Sequence, residues 1–396
     1  MQFSKVEELY SKTFSQDEMY DFRNDIHMHP ELGGEEFRTV GKICERLDEY
    51  GLKYDHIADT GVIVRIHGSR PGKTIALRAD IDALPVDENT DFEFKSQTPG
   101  KHHACGHDIH TTILLGVAKM LAALKGDFAG NFTLLFQPAE ESFGGAERMI
   151  AAGALENPHV DHVIGLHNNM DIPAGQVGVL YGGGYAGSIS FRMTIHGKSA
   201  HAAHPHESID PIVCAAQFIT ACQTVVSRNM DPTGCAVVTV GSIHGGTVSN
   251  QITDSVELKG TTRTLNREVG EMVINRVEAL ARTTCEGMGA TLEFERIYGY
   301  RPLINDDATV DAVKAIMEDS IGKENVHVLK TPEMGCEDFA YFAEQRPSVF
   351  YQFGVMPTDG QPVYGLHNTR YNPNAKEAIP FGIKLQTVVA LGLAGN

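Results

Sequence analysis

The sequence has no long apolar run, no excess of basic residues and no paired cysteine motif, and each absence argues against a class of protein. No stretch comes near the roughly 20 consecutive apolar residues of a membrane helix, and the first residues lack the apolar core and cleavage site of a secretory signal. The 33 basic and 51 acidic residues give a net charge of −18, with no cluster of lysine and arginine to contact phosphates. The seven cysteines are scattered and odd in number, which argues against a disulfide framework and favours a reducing compartment. We therefore expect a cytoplasmic protein that binds neither nucleic acid nor a membrane.

The 396 residues suffice for two or three domains. In the first part of the chain, helix-like and strand-like segments alternate. Residues 110–126 carry apolar side chains at helical spacing, whereas residues 131–136 and 161–167 resemble buried strands. This alternation predicts an α/β fold with a mixed or largely parallel sheet that is flanked by helices.

The glycine run at residues 181–185 marks a change of pattern. From residue 188 to residue 299 the segments read strand, helix, strand, strand, helix, strand, which is the ferredoxin-like α+β order. The first pattern then resumes and ends in a helix near 376–392. The sequence thus predicts an α/β domain made of residues 1–185 and 299–396, interrupted by an inserted domain at residues 186–298.

Two aspartates lie just past an apolar strand. Asp80 and Asp82 follow the segment 74–77, and their spacing of two places both carboxylates on one side of the chain. Such a pair of carboxylates is a candidate for chemistry at a site. The alternative is an ordinary polar loop at the end of a strand.

A second polar string, residues 102–110, contains four histidines and one cysteine. Imidazole and thiolate groups are suited to Zn²⁺ or a similar ion. Only one glycine separates Cys105 from His107, so both side chains can turn toward one point. His110 opens the following helix and can instead support the ligands. The alternative is a solvated histidine-rich turn.

Two further groups complete a possible ligand set. Glu140 and Glu141 follow an apolar strand, where adjacent carboxylates are costly unless one binds a cation or is protonated. A metal hydrolase needs both a ligand and a base, although a helix start explains glutamates equally well. His167 and His367 lie in two similar GLHN strings, and each alone resembles a core histidine. Together with the cysteine and histidine above, they suit two metal ions that share one ligand.

The inserted segment has polar strings of its own. His201 lies in GKSAHAA between a strand and a helix, Asn250 closes the string HGGTVSN, and Arg263 lies in the next strand. These residues are candidates for binding an anion or an oxyanion. Ordinary loop polarity is the alternative.

Six strings carry a resemblance to a known family. RADIDALP, HACGHDIHTT, FQPAEE, GKSAHAA, GGTVSNQI and GCEDFAYF, in this order, resemble the M20 metallopeptidase family, and most closely its D subfamily of N-acyl amino acid amidohydrolases. That subfamily includes hippurate hydrolases, auxin–amino acid conjugate hydrolases and aminoacylase-like enzymes. The resemblance extends over residues 17–392, including the inserted segment.

The resemblance implies a role for each candidate residue. Two divalent ions (Zn, Mn, Co or Ni) would share Cys105 as a bridging ligand. The other implied ligands are His107 and His167 at one ion and Glu141 and His367 at the other. The implied general base is Glu140, and Asp82 would orient the metal centre without binding the ions. His201 would stabilise the oxyanion, in the active site of its own chain or of the partner chain. Asp80 replaces a ligand histidine of other M20 branches, and Asn250 and Arg263 match positions that bind the substrate carboxylate or oxyanion.

The implied activity is hydrolysis of the amide bond of an N-acyl amino acid by a metal-activated water. A dipeptidase or carboxypeptidase of the same superfamily is the nearest alternative, and a metal-binding protein without turnover is an alternative from another class. The β-α-β-β-α-β insert leaves an exposed strand edge, which is a pairing hazard unless it is covered. We therefore expect a homodimer through residues 186–298, with the glycine run at 182–184 as part of a hinge.

Overall fold

The fold is described from a computed structural model of the chain, for residues 2–142 and 144–395. These residues form two compact units. The first unit comprises Met1–Gly182, Ile304–Thr331 and Tyr341–Asn396, and the second comprises Gly183–Leu303 and Pro332–Ala340. The short segment Pro332–Ala340 returns to the second unit from a later part of the chain, and no pattern in the sequence indicated this.

The first unit is built on an eight-stranded sheet. Its strands are β1 (Tyr54–Ile57), β2 (Gly61–His67), β3 (Arg70–Asp80), β4 (Ala129–Gln137), β5 (His162–Pro173), β6 (Val177–Val179), β15 (Val326–Val328) and β16 (Ser348–Met356). They are ordered β1-β2-β4-β3-β5-β16-β6-β15. The central strands β4, β3, β5 and β16 are parallel, whereas β1, β2 and β4 pair antiparallel. The mixed sheet that the sequence predicts is therefore confirmed.

Helices flank this sheet. They are α1 (Phe3–Thr13), α2 (Glu18–Met28), α3 (Phe37–Glu49), α4 (His107–Ala123), α5 (Gly145–Ala151), α8 (Asp307–Ile321) and α10 (Ala375–Ala394). Helix α4 is buried over nearly its whole length and packs against α10. The sequence placed the start of α4 at residue 110, but the helix begins three residues earlier. Its first turn therefore contains His107.

The segment Ala375–Gly395 is long and apolar enough to cross a membrane. However, 72% of its most apolar stretch is buried inside the protein. Helix α10 contacts α1, α4 and α8 as well as strand β3. Packing in the core of the first unit therefore accounts for its apolar character.

The central strands are apolar on both faces because helices cover both faces of a parallel sheet. All of β16 except its last residue is buried, and so is the second half of β4. Parallel neighbours place their carboxyl ends at one edge of a sheet, where ligands bind in open α/β folds. Strand β3 ends at Asp80 and its partner β4 ends at Gln137, directly opposite. The polar residues that follow these strands are thereby gathered at one edge.

The second unit has a four-stranded antiparallel sheet in the order β10-β12-β8-β13. Its strands are β8 (Gly187–His196), β10 (Ala236–Gly245), β12 (Ser255–Thr264) and β13 (Thr291–Tyr298), and its helices are α6 (Pro211–Thr224) and α7 (Arg267–Gly287). In chain order this is strand, helix, strand, strand, helix, strand. Side chains of Asp210 and Asn266 accept hydrogen bonds from the first amides of α6 and α7, which fixes where each helix begins.

The remaining elements are short. They are β7 (Gly182–Tyr185), β9 (Ala200–His201), β11 (Gln251–Ile252), β14 (Leu303–Asn305) and α9 (Ala340–Gln345). The glycine run read as a break in the pattern thus forms strand β7. Helix α6 ends at Thr224 and continues into a π-helical turn over Val225–Asn229. The second unit has its own core, in which Phe191 and Phe218 are fully buried.

Candidate metal centre

A tight turn presents Cys105 and His107 from the start of α4. Gly106 between them has φ +81°, in the left-handed region that side chains rarely adopt. A Cβ atom at this position would lie 2.0 Å from Nδ2 of Asn168, which in turn donates a hydrogen bond to the carbonyl of Gly106 at 3.1 Å. Only glycine fits here, so the spacing Cys-Gly-His is a geometric requirement of the turn.

Three ligand atoms converge at this turn. Those of Cys105, His107 and His167 all lie within 4.8 Å of one another, and all three residues are buried. Sγ of Cys105 is 3.4 Å from Nε2 of His167. The other ring nitrogen of His167 lies 3.0 Å from the carbonyl of Asn168, so Nδ1–H donates there and Nε2 keeps its lone pair. Burial lowers the pKa of His167 to about 3, so the imidazole is neutral and able to bind a metal.

A second group of three shares the same cysteine. Ligand atoms of Cys105, Glu141 and His367 lie within 4.8 Å of one another. Nε2 of His367 is 3.3 Å from Oε1 of Glu141. His367 has φ +60°, an uncommon conformation for a residue with a side chain, and its amide donates to the carbonyl of Ala104 at 2.9 Å. This backbone conformation is typical of functional positions.

Asp82 contacts one residue of each group, His107 and Glu141, on the side away from the ligand atoms. Its Oδ1 lies 3.2 Å from Nδ1 of His107, and its Oδ2 accepts a hydrogen bond from the amide of Glu141 at 2.9 Å. Because Asp82 engages Nδ1 of His107, the other nitrogen, Nε2, faces the group of ligand atoms. Such a carboxylate–histidine pair orients histidine ligands in metal sites.

Asp80 belongs to a neighbouring buried network. It forms an ion pair with Arg78 at 2.6 Å and lies 2.6 Å from Nδ1 of His110. Its Oδ2 is also 3.6 Å from Nε2 of His107. Nε2 of His110 accepts a hydrogen bond from the amide of Asn168 at 3.1 Å. No pattern in the sequence indicated a role for Arg78 or Asn168, although Asn168 directly follows a candidate ligand.

The electrostatics of the centre favour a cation. Burial acts to lower the pKa of His107, but the carboxylates of Asp80 and Asp82 raise it to about 10. Burial, together with the charges of Glu141 and Glu140, raises the pKa of the Cys105 thiol well above its usual range. The negative charge of the buried carboxylates contributes to both shifts.

Two buried atoms at the centre lack a hydrogen-bond partner among the residues that the structure describes. They are Nε2 of His107 and Oε1 of Glu141. Buried polar atoms are rarely left unpaired, and an ion is one of the accepted explanations. Cysteine, histidine and glutamate form a donor set that borderline divalent ions accept. The residues present therefore suit a metal centre.

Glu140 lies beside the two groups and is 5% exposed. Its carboxylate is within 4.8 Å of the ligand atoms of His107 and Glu141. Ala139 before it has φ +56°, so the chain turns sharply after strand β4. The turn brings two consecutive carboxylates, Glu140 and Glu141, to the same place.

The other three candidate residues lie in the second unit. His201 is exposed on β9 and pairs with Gln251 of β11, next to Asn250, whose carbonyl accepts from the amide of Ala202. Arg263 is half-buried on β12 and donates to the hydroxyl of Thr261 and to the carbonyl of Thr262 at 3.0 Å. His201 and Asn250 are therefore neighbours, whereas Arg263 lies on a different strand pair.

Comparisons with known proteins agree with this arrangement. The chain is 41% identical over 345 residues to the N-acetyl-L-cysteine deacetylase of Bacillus subtilis (strain 168), covering 87% of this chain and 81% of the relative. It is 38% identical to the IAA-amino acid hydrolase ILR1-like 4 of Arabidopsis thaliana, covering 94% and 85%. The crystal structure of the Bacillus subtilis YXEP protein, described as a dinuclear metal binding peptidase from the M20 family, has a TM-score of 0.82 at 32% identity and covers 96% of this chain and 98% of that one. Residues 76–391 match peptidase family M20/M25/M40, and the chain belongs to this family.

Proposed function

We propose that the chain is a metal-dependent amidohydrolase that cleaves the amide bond of N-acyl amino acids, releasing a carboxylate and a free amino acid. The observation that carries the proposal is the pair of three-residue groups that share Cys105, with Glu140 beside them. The deacetylase and hydrolase relatives support the substrate class, since both names describe removal of a group from an amino acid.

Two divalent ions, Zn²⁺, Mn²⁺, Co²⁺ or Ni²⁺, would be held at this centre. Cys105, His107 and His167 would hold one ion, and Cys105, Glu141 and His367 the other. The YXEP structure, whose description names two metals, supports this number. When bound, such ions lower the pKa of a water molecule and polarise the carbonyl of the substrate.

Within the centre, Glu140 serves as the general base. Its carboxylate accepts a proton from the attacking water and passes it to the nitrogen of the leaving amine. In the metal-bound enzyme, Asp82 would keep the remaining proton of His107 on Nδ1 and so leave the lone pair on Nε2. In the second unit, His201 donates to the developing oxyanion, from its own or the partner chain, and Asn250 and Arg263 bind the carboxylate or oxyanion of the substrate. The family resemblance supports these three roles.

A substrate panel tests the proposed activity. We expect metal-stripped protein reloaded with Zn²⁺, Mn²⁺, Co²⁺ or Ni²⁺ to release free amino acid from N-acetyl and N-benzoyl amino acids, and to leave free dipeptides intact. Faster cleavage of the dipeptides would instead identify a dipeptidase. Two bound metal equivalents without cleavage of any substrate would identify a metal-binding protein.

We also propose that the chain forms a homodimer through the second unit. Strand β10 is one edge of the four-stranded sheet and contains no charged residue, whereas the opposite edge, β13, contains Glu293, Glu295 and Arg296. Charged residues protect an edge strand from pairing, and an uncharged edge is open to it. A two-fold contact between two copies of β10 would continue the sheet and cover both edges.

Matched substitutions on the two edges test the dimer. Ile243 on β10 and Ile297 on β13 are exposed to 47% and 45%. In light scattering we expect the native protein and Ile297→Lys to have twice the 43.1 kDa mass of one chain. Ile243→Lys should shift the mass toward that of the monomer. A native protein that is monomeric at micromolar concentration would refute the dimer.

We place the enzyme in the cytoplasm. All seven cysteines are free in the structure, including the buried pair Cys214 and Cys285, whose sulfur atoms lie 3.6 Å apart. The scattered cysteines, odd in number and without paired motifs, support a reducing compartment.

A further inference from the structure

A second buried cluster of ligand-type groups lies in the first unit, outside the centre described above. It consists of His27 on helix α2, Glu88 in the loop after Asp82, and His102 before the Cys105 turn. Their ligand atoms lie within 4.8 Å of one another. The side chains of His27 and His102 are fully buried, and that of Glu88 is 1% exposed. The proposed reaction gives none of these residues a role.

The distances in this cluster are close to those of a coordination sphere. Oε1 of Glu88 lies 3.2 Å from Nε2 of His27 and 3.8 Å from Nε2 of His102. Two ligands at about 2.0–2.1 Å from a tetrahedral Zn²⁺ are themselves about 3.3 Å apart. The first distance already meets this value, and the second needs a shift of only a few tenths of an ångström.

His27 is oriented in the way that metal-binding histidines are. Its Nδ1 lies 2.6 Å from Oδ2 of Asp108, and the same carboxylate oxygen lies 2.7 Å from Nε of Arg23. The side chains of His27, Asp108 and Arg23 are each at most 1% exposed. Nε2 of His27 lies 3.2 Å from Oε1 of Glu88, and a bound ion would replace this hydrogen bond, with the lone pair of Nε2 turned toward the ion. A carboxylate behind the histidine is the usual partner that fixes such a ligand.

His102 provides an independent indication. Neither of its ring nitrogens has a hydrogen-bond partner among the described residues, although the side chain is fully buried. Burial lowers its pKa to about 4, so the ring is neutral at physiological pH and has a lone pair to donate. A buried imidazole with both nitrogens unpaired needs a ligand, a water molecule or an ion beside it.

Glu88 is held as an anion at the same point. Burial acts to raise its pKa, but hydrogen bonds with His27 and from the amide of Ser96, together with the hydroxyl of Thr90, lower it to about 2. Its Oε2 accepts from the amide of Ser96 at 2.6 Å, and its Oε1 accepts from the hydroxyl of Thr90 and also faces the two histidines. The cluster thus brings two imidazoles and one carboxylate together.

We infer that His27, Glu88 and His102 form a further site for a divalent transition-metal ion, with Zn²⁺ as the best match. Two histidines and one glutamate are an established zinc ligand set. Because the side chains are closed off from solvent, the ion would have a structural role. It would join helix α2 to the two loops that carry Glu88 and His102, and the second of these leads into the Cys105 turn.

Anomalous diffraction on native crystals soaked in Zn²⁺ tests the inference directly. We expect a peak at the zinc edge between Nε2 of His27, Oε1 of Glu88 and Nε2 of His102, in addition to density near Cys105. Density near Cys105 without a peak in this cluster would overturn the inference. A water molecule there, which gives no anomalous signal, would overturn it equally.

Metal content provides a second, independent measurement. Native protein reloaded with Zn²⁺ should hold one equivalent more than His102→Met, in which a thioether of similar length replaces the imidazole. The matched control is His103→Met, because His103 is also buried and unpaired but lies outside the cluster. It should keep the native count, and equal counts in native protein and His102→Met would overturn the inference. Both measurements record metal and not turnover, so they remain valid if the proposed amide hydrolysis fails.

Discussion

Replacing Glu140 by glutamine should abolish most turnover and leave the metal content unchanged. Glutamine keeps the size of the side chain but cannot accept a proton, and general base catalysis contributes roughly 10²–10⁴-fold to rates. We therefore expect kcat for an N-acyl amino acid to fall by about that factor. The carboxylate of Glu140 is outside both groups that share Cys105, so two metal equivalents should remain by elemental analysis.

A glutamine substitution at the neighbouring residue, Glu141, should have a different effect on metal content. Glu141→Gln changes the same functional group one position along, but it removes an anionic ligand from the group with Cys105 and His367. This variant should lose metal as well as activity. Glu147→Gln, on the exposed face of α5, should change neither. If Glu140→Gln retains more than about a tenth of kcat, the loss is too small for a general base and Glu140 is not the base.

Much of the candidate centre could be predicted because its chemistry is local in sequence. Asp80 ends strand β3 and Asp82 follows it, Glu140 and Glu141 follow β4, and these strands are parallel neighbours. Once the sheet is expected to be parallel, the ends of such strands must meet at one edge. The residues around Cys105 likewise form a single turn, so the one-residue spacing between Cys105 and His107 predicts that their side chains lie close together.

The cluster around His27 could not be predicted in this way. His27 and Asp108 are 81 residues apart, and His27 and Glu88 are 61 residues apart. No periodicity or spacing relates residues on separate elements, and a lone histidine on a helix resembles a core residue. Burial and the unpaired nitrogens of His102 become visible only in the folded chain. The segment Pro332–Ala340 escaped prediction for the same reason, because its contacts with the second unit are not local.

Cys105 is the residue on which the two-metal proposal depends most strongly, because both groups of three contain it. Cys105→Ala should therefore lose both ions or bind them far more weakly. Loss of a ligand that belongs to only one group, such as His167, should remove only one ion. Cys44→Ala is a matched control, since Cys44 is a buried cysteine on α3 and belongs to neither group of three. It should keep the native metal content. Two equivalents of metal in Cys105→Ala, measured by elemental analysis after dialysis, would refute the bridge.

The protonation of Cys105 leads to a second measurable effect, the dependence of metal affinity on pH. Burial and the nearby glutamates raise the pKa of the thiol, so at neutral pH it carries a proton that a metal must displace. Metal affinity should therefore rise with pH, by about tenfold per pH unit for each displaced proton. In Cys105→Asp the ligand is a carboxylate, so two ions should still bind and the dependence on pH should weaken by about one proton. The proton of His107 is displaced in both proteins, so the difference between their slopes belongs to Cys105 alone. Equal slopes in metal titrations between pH 6 and 8 would show that the thiol does not bind the ions.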